Sequence, residues 1–232
     1  MNVLIFCAHA DDEVIGMGGT IRKFADNNCN IRLVMFSAGA EGYATVDEKE
    51  SICATRDRET REVCKLLGIK SYRNLNQLDW DLKVNNQLYN EVIGEIRSFQ
   101  PDVIFTHRFG DYNDHQSVSK VVNEAWFHAA LDCAAINGKA WPMVPLYEFE
   151  VIEMMPDPGF IVDITDTFST KIEAMQIYNS QTGVVGGAEQ MLTGRALLRG
   201  QQANIQYGEA FRRSVYRPAL IKDVNDLAAK RI

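Results

Sequence analysis

His9, Asp11, Asp12 and Glu13 crowd into one short stretch, Phe6-Cys7-Ala8-His9-Ala10-Asp11-Asp12-Glu13. One imidazole and one carboxylate suit a divalent transition metal such as zinc. A second carboxylate beside a metal-bound water suits a general base. The segment therefore suggests a metal-dependent hydrolase. Acids at a helix start also complement the helix dipole and cap free N–H groups. Capping needs one carboxylate, however, and three stand here in a row. A second polar cluster runs His107-Arg108-Phe109-Gly110-Asp111-Tyr112-Asn113-Asp114-His115-Gln116. His115 is a candidate third ligand, and Asp114 beside it could orient an imidazole or hold a proton. His107 could instead sit at a strand end and bond a carbonyl. Asp111 and Asp114 have loop and cap roles as their alternative. The fourth histidine, His128, lies inside a helical pattern and is given no role.

Both clusters follow apolar runs that read as buried strands. Val3–Cys7 precedes the first and Asp102–Thr106 the second. In open α/β sheets ligands bind at the carboxyl ends of strands, and two clusters on separate parallel strands can share one crevice. Further strands are expected at Ile31–Ser37, Ser71–Leu75, Leu146–Met154 and Phe160–Ile164. Helical patterns cover Gly18 to about Asn27, Ser51–Leu67, Gln87–Phe99, Ser117–Asp132, Thr167–Tyr178 and Glu189–Gly200. Val14–Thr20 reads as a glycine-rich opening of the first helix. The β-α-β-α order predicts an α/β fold, a mostly parallel twisted sheet with helices on both faces. Gly183–Gly187 reads as a loop that could border a site, and Asn137–Pro145 as a loop that could cover one.

The 232 residues fit a single domain spanning 1–232. A net charge of −7 with no basic stripe argues against nucleic acid as a partner. No apolar run approaches the ~20 residues that span a membrane. The N-terminal stretch does not read as a signal peptide, and the expected location is the cytoplasm. Cys7, Cys29, Cys53, Cys64 and Cys133 form no CxxC pair, so neither a disulfide framework nor a cysteine zinc site is indicated. Cys7 shares a strand face with His9, with packing as its expected role.

Ala8-His9-Ala10-Asp11-Asp12-Glu13 and Asp114-His115 resemble the two signatures of the PIG-L/LmbE-like N-acetylglucosaminide deacetylases. Arg56-Asp57-Arg58-Glu59 followed by Leu67-Gly68 is similar to the family's Arg-x-x-Glu helix. Val162-Asp163-Ile164-Thr165, Lys171, Ala174 and Tyr178-Asn179-Ser180-Gln181 resemble its later segment, and Tyr207-Gly208-Glu209-Ala210-Phe211 its close. The likeness covers Val3 to about Phe211. It implies an LmbE-like, Rossmann-like fold and zinc held by His9, Asp12 and His115. It also implies Asp11 as the general base for a zinc-bound water that attacks an N-acetyl carbonyl. Arg56 resembles a residue near the family's substrate pocket; a surface ion pair with Glu59 or Glu62 is its alternative. Relatives often form homo-oligomers.

One departure stands out. Many relatives carry a histidine three residues before the last ligand; here the stretch is one residue short, and Tyr112 or Asn113 stands in its place. That histidine assists the oxyanion or protonates the leaving amine in the family. Tyr112, Asn113 or His107 is the candidate replacement, with Tyr112 and Asp114 expected to take part in catalysis, and Asn113 and His107 in substrate binding beside Arg56. Besides a zinc-dependent deacetylase of an amino sugar or its conjugate, two other readings stand: a magnesium-dependent phosphohydrolase using Asp11, Asp12, Asp111 and Asp114, and a non-catalytic metal- or sugar-binding protein. Tyr43, Trp80, Phe109, Trp126 and Trp141 could each stack on a sugar ring or simply pack.

Overall fold

Alternation along a strand sends successive side chains to opposite faces of a sheet. The first strand of this chain is apolar at every position but its first, so both faces must be covered. A computed structural model describes residues 1–132, 138–181 and 186–218. Its strands are β1 (Asn2–Cys7), β2 (Asn30–Ser37), β3 (Ser71–Gln77), β4 (Val103–His107), β5 (Leu146–Phe149), β6 (Phe160–Asp163) and β7 (Gly208–Arg213). Its helices are α1 (Asp12–Asp26), α2 (Ile52–Leu67), α3 (Asn86–Phe99), α4 (Asn113–Ala129), α5 (Phe168–Ile177) and α6 (Ala188–Ala203). The strands form one sheet in the order β3-β2-β1-β4-β5-β7-β6. Pairing is parallel from β3 through β5, whereas β7 runs antiparallel to both β5 and β6. This is the expected α/β architecture, with an antiparallel edge.

Val3, Ile5 and Cys7 point to one face, against Val14 and Ile21 of α1, Val63 and Leu67 of α2, and Ala174 and Met175 of α5. Leu4 and Phe6 point to the other, against Val92 and Ile96 of α3 and Val118 and Val122 of α4. All four residues Val3–Phe6 are fully buried. At ~1.5–3 kcal/mol for each buried aliphatic or aromatic side chain, this strand is anchored far more firmly than any polar contact could hold it. Cys7 is core as expected, and burial pushes its thiol pKa well above the usual range, which makes it inert.

Several boundaries differ from the sequence reading. Helix α1 starts at Asp12, not at Gly18, and α4 starts at Asn113, not at Ser117. The glycines of α1 do not open the helix; they let it approach its neighbours. A Cβ on Gly19 would lie 2.7 Å from Ile164 Cβ, and one on Gly16 would lie 2.5 Å from the Phe149 ring. The expected strand Leu146–Met154 ends at Phe149, because Glu150 turns inward to Arg199. Strand β7 has no counterpart in the sequence reading: Gly208 and the paired arginines weaken its apolar signal, and tertiary pairing decides it. Cys133, Asn137 and residues 183–185 of the glycine-containing loop lie outside the described residues.

Helix α1 is kinked at Met17 (φ −153°, ψ 24°). The kink frees N–H groups in mid-helix, and Glu209 of β7 accepts from Gly19 N–H at 3.0 Å and Thr20 N–H at 2.8 Å. Lys171 of α5 neutralises that carboxylate at 2.6 Å and also donates to the Ile15 carbonyl at 2.9 Å. A buried ion pair with every partner in place thus fixes the helix that carries Asp12.

Candidate metal centre and its cleft

Strands β1 and β4 are neighbours, but their connections leave in different directions. Strand β1 passes through α1 to β2 on one side, while β4 passes through α4 to β5 on the other. Such a switch point parts the loops and leaves a crevice at the carboxyl ends of the strands. His9 and Asp12 come from the β1–α1 turn, and His115 from the first turn of α4.

The β1–α1 turn depends on Asp11, whose φ of 111° and ψ of −26° lie in the left-handed region. A non-glycine residue there costs ~1–3 kcal/mol, and such outliers gather at functional sites. The turn is held from all sides. Asp12 Oδ2 accepts the His9 N–H at 2.7 Å, Glu13 Oε2 accepts the Asp11 N–H at 3.3 Å, and the Asp11 carbonyl accepts from Val14 and Ile15 at 3.0 and 2.9 Å.

The result brings donor atoms of three side chains together, with both Asp12 oxygens facing the imidazoles. His9 Nδ1 lies 3.2 Å from His115 Nε2, His115 Nε2 lies 3.3 Å from Asp12 Oδ1, and His9 Nδ1 lies 3.6 Å from Asp12 Oδ2. Ligand atoms of His9, Asp12 and His115 all fall within 4.8 Å of one another, the spread of a site for a metal ion. Each imidazole has a carboxylate behind it, the arrangement that fixes ring orientation in metal sites. Asp114 Oδ2 lies 3.1 Å from His9 Nε2, and Asp111 Oδ1 lies 3.7 Å from His115 Nδ1. Asp111 is itself held by the N–H groups of Tyr112, Val151 and Ile152.

These contacts set the protonation of the centre. Burial opposes a charge on His9, but the Asp114 and Asp12 carboxylates outweigh it and raise its pKa to about 9. His115 rises to about 10 for the same reason, against burial, through Asp12 and Asp111. His107 goes the other way, to about 4, because burial and then the neighbouring His115 charge disfavour its cation. Asp11 is lifted to about 7 by burial, against the pull of Arg56 and with a push from Asp12.

The cleft above the centre encloses about 320 Å³. Asp11, Asp12, Arg56, Tyr112 and Trp80 are among the residues that line it. Arg56 is buried, not on the surface, so the alternative of a surface pair with Glu59 or Glu62 is set aside. Its Nη2 donates to the Ala10 carbonyl at 2.6 Å and lies 4.0 Å from Asp11 Oδ1, while Glu59 accepts from Ser180. Tyr112 stands at the mouth, edge-on to His115 with ring centres 5.7 Å apart. Burial, then the charges of Asp114 and Asp79, raise its phenol pKa, which keeps it a proton donor.

Three expected residues do not reach the cleft wall. His107 is fully buried beneath the centre, where its Nε2 accepts the Ala8 N–H at 2.9 Å and lies 3.2 Å from Asp12 Oδ2. Its ring is not part of the cleft wall. Asn113 is exposed as the first residue of α4, and its side chain is outside the cleft. Asp114 stands behind His9 and accepts the Trp80 N–H at 2.9 Å. The sequence reading gave Asp79 no part. This residue lines the cleft 9% exposed, with Oδ2 accepting the Glu41 N–H at 2.8 Å and Oδ1 without a hydrogen-bond partner. An acid soon after β3 is the same cue that marked the other two clusters.

A family model described as PIG-L, GlcNAc-PI de-N-acetylase, matches residues 4–126. The chain is 25% identical over 226 residues to a diacetylchitobiose deacetylase of Thermococcus kodakarensis, covering 90% of this chain and 82% of the relative. Among solved structures, the N,N'-diacetylchitobiose deacetylase of Pyrococcus horikoshii in complex with its inhibitor MPG superposes with a TM-score of 0.85 at 26% identity, covering 97% of this chain and 88% of that one. The 4-carboxy-2-hydroxymuconate hydratase of Pseudomonas putida KT2440 superposes with a TM-score of 0.80 at 21% identity, covering 96% and 99%, and shares the fold. The sheet, the switch-point crevice and the polar turns define a class of α/β proteins with a cleft over paired histidines. This chain belongs to the PIG-L family.

Proposed function

We propose that this protein is a zinc-dependent hydrolase that removes the N-acetyl group from an amino sugar or an amino-sugar conjugate. The observation that carries the proposal is the convergence of His9, Asp12 and His115 on one point with Asp11 beside them on the cleft wall. The donor set suits the ion. Two imidazole nitrogens 3.2 Å apart face each other inside a ring of carboxylates, an arrangement that calls for a cation between them. Tetrahedral zinc with Zn–N of ~2.0–2.1 Å has ligand–ligand edges of ~3.3 Å, near the 3.2 Å between the two imidazole nitrogens and the 3.3 Å between His115 Nε2 and Asp12 Oδ1. Two imidazoles among three donors speak against magnesium, which prefers oxygen.

When bound, zinc supplies a Lewis acid that acidifies a water and polarises the amide carbonyl. The chain's own residues do the rest. Asp11, lifted toward neutral pH by burial, takes a proton from the attacking water and returns it to the leaving nitrogen as the C–N bond breaks. Tyr112 donates a hydrogen bond toward the carbonyl oxygen from the position of the family's histidine. Asp114 holds the ring of His9, and the Asp111 carboxylate faces the outer nitrogen of His115 at 3.7 Å. Arg56 and Asp79 offer a donor and an acceptor to sugar hydroxyls. The products are acetate and a free amine. No helix among the described residues is long and apolar enough to cross a membrane. The proposal places this activity in the cytoplasm, in one catalytic domain over residues 1–232, as a homo-oligomer.

Metal analysis with parallel acetate release from N-acetylglucosamine and its conjugates tests the reading. About one zinc per chain is expected in wild type, lost in His115→Ala and kept in Asp11→Asn, whose turnover falls by ~10²–10⁴. Zinc without acetate release from any conjugate would favour a binding protein, and unchanged zinc in His115→Ala would overturn the site.

A further inference from the structure

The cleft divides along the sheet. The metal centre stands over β1 and β4, in the middle of the order β3-β2-β1-β4-β5. On one side the wall comes from the segments after β2 and β3 and from α2. Glu41, Arg56 and Asp79 line it, and Gln181 joins it with its amide given to the Gly42 carbonyl at 3.0 Å. On the other side the wall comes from the segment after β5 and from α6, and its side chains are Val151, Ile152 and Met191. Ile15, one turn after Asp11 on α1, continues this apolar side, since it also borders a small cavity with Leu192 and Arg195 of α6. None of the four apolar side chains carries a charge or a strong hydrogen-bonding group.

Ile152 is 60% exposed, yet its place is fixed through the backbone. Asp111 Oδ2 accepts the N–H groups of Val151 and Ile152, each at 3.3 Å. Arg195 donates to the Val151 carbonyl at 2.6 Å and to the Ile152 carbonyl at 3.5 Å. The same Asp111 carboxylate faces His115 Nδ1 at 3.7 Å, so the apolar wall is tied directly to the metal centre. A single exposed aliphatic is ordinary on a surface. A pair of residues held by four hydrogen bonds beside two further apolar side chains is a built wall.

The reaction decides which part of a substrate meets this wall. Asp11 must reach the amide nitrogen to return the proton, and its Oδ1 lies 4.0 Å from Arg56 Nη2, on the polar side. The sugar hangs from that nitrogen and needs partners for its hydroxyls, which the polar side offers and the apolar side does not. The other substituent of the carbonyl carbon, the acyl chain, then leaves toward Val151 and Ile152. We infer that Ile15, Val151, Ile152 and Met191 form an acyl pocket that extends the activity to N-acyl chains longer than acetyl, with propionyl and butyryl groups accepted. The inference rests on the amide-hydrolase reading above and widens its substrate class. Water adds to the acyl carbonyl, the C–N bond breaks, the nitrogen takes the proton, and the products are the longer carboxylate and the free amine. Met191, unbranched and adaptable, can shift to admit the chain.

The test measures kcat/KM for N-acetyl-, N-propionyl-, N-butyryl- and N-glycolylglucosamine by release of the free amine. Each methylene that the wall buries is worth up to about fourfold, so propionyl should be cleaved at least as well as acetyl. Glycolyl, close to propionyl in size but ending in a hydroxyl, should fall about tenfold below it. Ile152→Ser should lower the butyryl-to-acetyl ratio about three- to fivefold, and Ile152→Leu should keep it. A wild type that cleaves propionyl less well than acetyl, or a ratio unmoved in Ile152→Ser, would overturn the inference. Acetate release without propionate release sinks the acyl pocket and leaves the deacetylase reading standing. A binding readout covers the converse. In Asp11→Asn, calorimetry should show N-butyrylglucosamine binding more tightly than N-acetylglucosamine, with the preference lost when Ile152→Ser is added. That pattern supports the pocket even if no amide is cleaved, and equal binding refutes it.

Discussion

His9 and His115 hold their protons far more tightly than free imidazoles do, to about 9 and about 10, because carboxylates surround them. A metal ion must displace those protons from the same lone pairs. Zinc affinity should therefore rise with pH between 6 and 8, and binding should release at least one proton per ion. Calorimetry in buffers of different ionisation enthalpy reads this directly; affinity flat with pH would refute it. Glu13 makes a separate prediction. Burial lifts its pKa to about 8, against the hydrogen bond from Tyr178. The folded state then binds this proton more tightly than the unfolded chain does. The stabilisation is complete below about pH 4.5 and is lost as pH rises through about 8. Glu13→Gln, which cannot ionise, should flatten the decline in melting temperature of chelator-treated protein between pH 5 and 8. An identical slope in the variant would exclude Glu13 as its source.

At the scale of elements, the placement of Asp12 depends on α1, and α1 depends on groups far away in sequence. Lys171 and Glu209 are both buried and paired at 2.6 Å. Lys171→Met leaves the Glu209 carboxylate without its counter-ion, which should cost ~3–5 kcal/mol in denaturant unfolding. A loss under 1 kcal/mol would mean that Gly19 and Thr20 N–H groups alone satisfy the carboxylate. Gly19→Ala forces a methyl to within 2.7 Å of Ile164. The overpacking should cost ~1–3 kcal/mol, with turnover reduced further because the helix that carries Asp12 must shift. Stability and turnover measured on the same sample separate the two effects.

For the whole molecule, the fold leaves the reaction open. The hydratase relative superposes over nearly the full chain, and a shared fold does not fix a shared chemistry. What is particular here is that a bound ion would tie the β1–α1 turn to α4, 106 residues apart. Ion binding to the folded state alone then stabilises it, by ~2.7 kcal/mol at a hundredfold excess over Kd. Added zinc should raise the melting temperature of chelator-treated wild type and leave His115→Ala unmoved. A similar rise in both would place the binding elsewhere.

Much of this was legible in the sequence for local reasons. Apolar runs followed by His9-Ala10-Asp11-Asp12-Glu13 and Asp114-His115 marked two strand ends, and strand alternation placed Cys7 in the core. The start of α1 was not legible, because a left-handed Asp11 turns the chain where the glycines suggested a later start. Nor was β7, whose pairing partners are 45 or more residues away in sequence. The sequence by itself determined which side chains follow which strands, since that depends on neighbours along the chain. Only the tertiary structure decided which strand ends meet and which way each side chain faces. Sheet order brings β1 beside β4, and two-sided packing fixes their register. That is why His107, expected at the substrate, lies buried beneath Asp12, and why Asp79, given no role, opens onto the cleft.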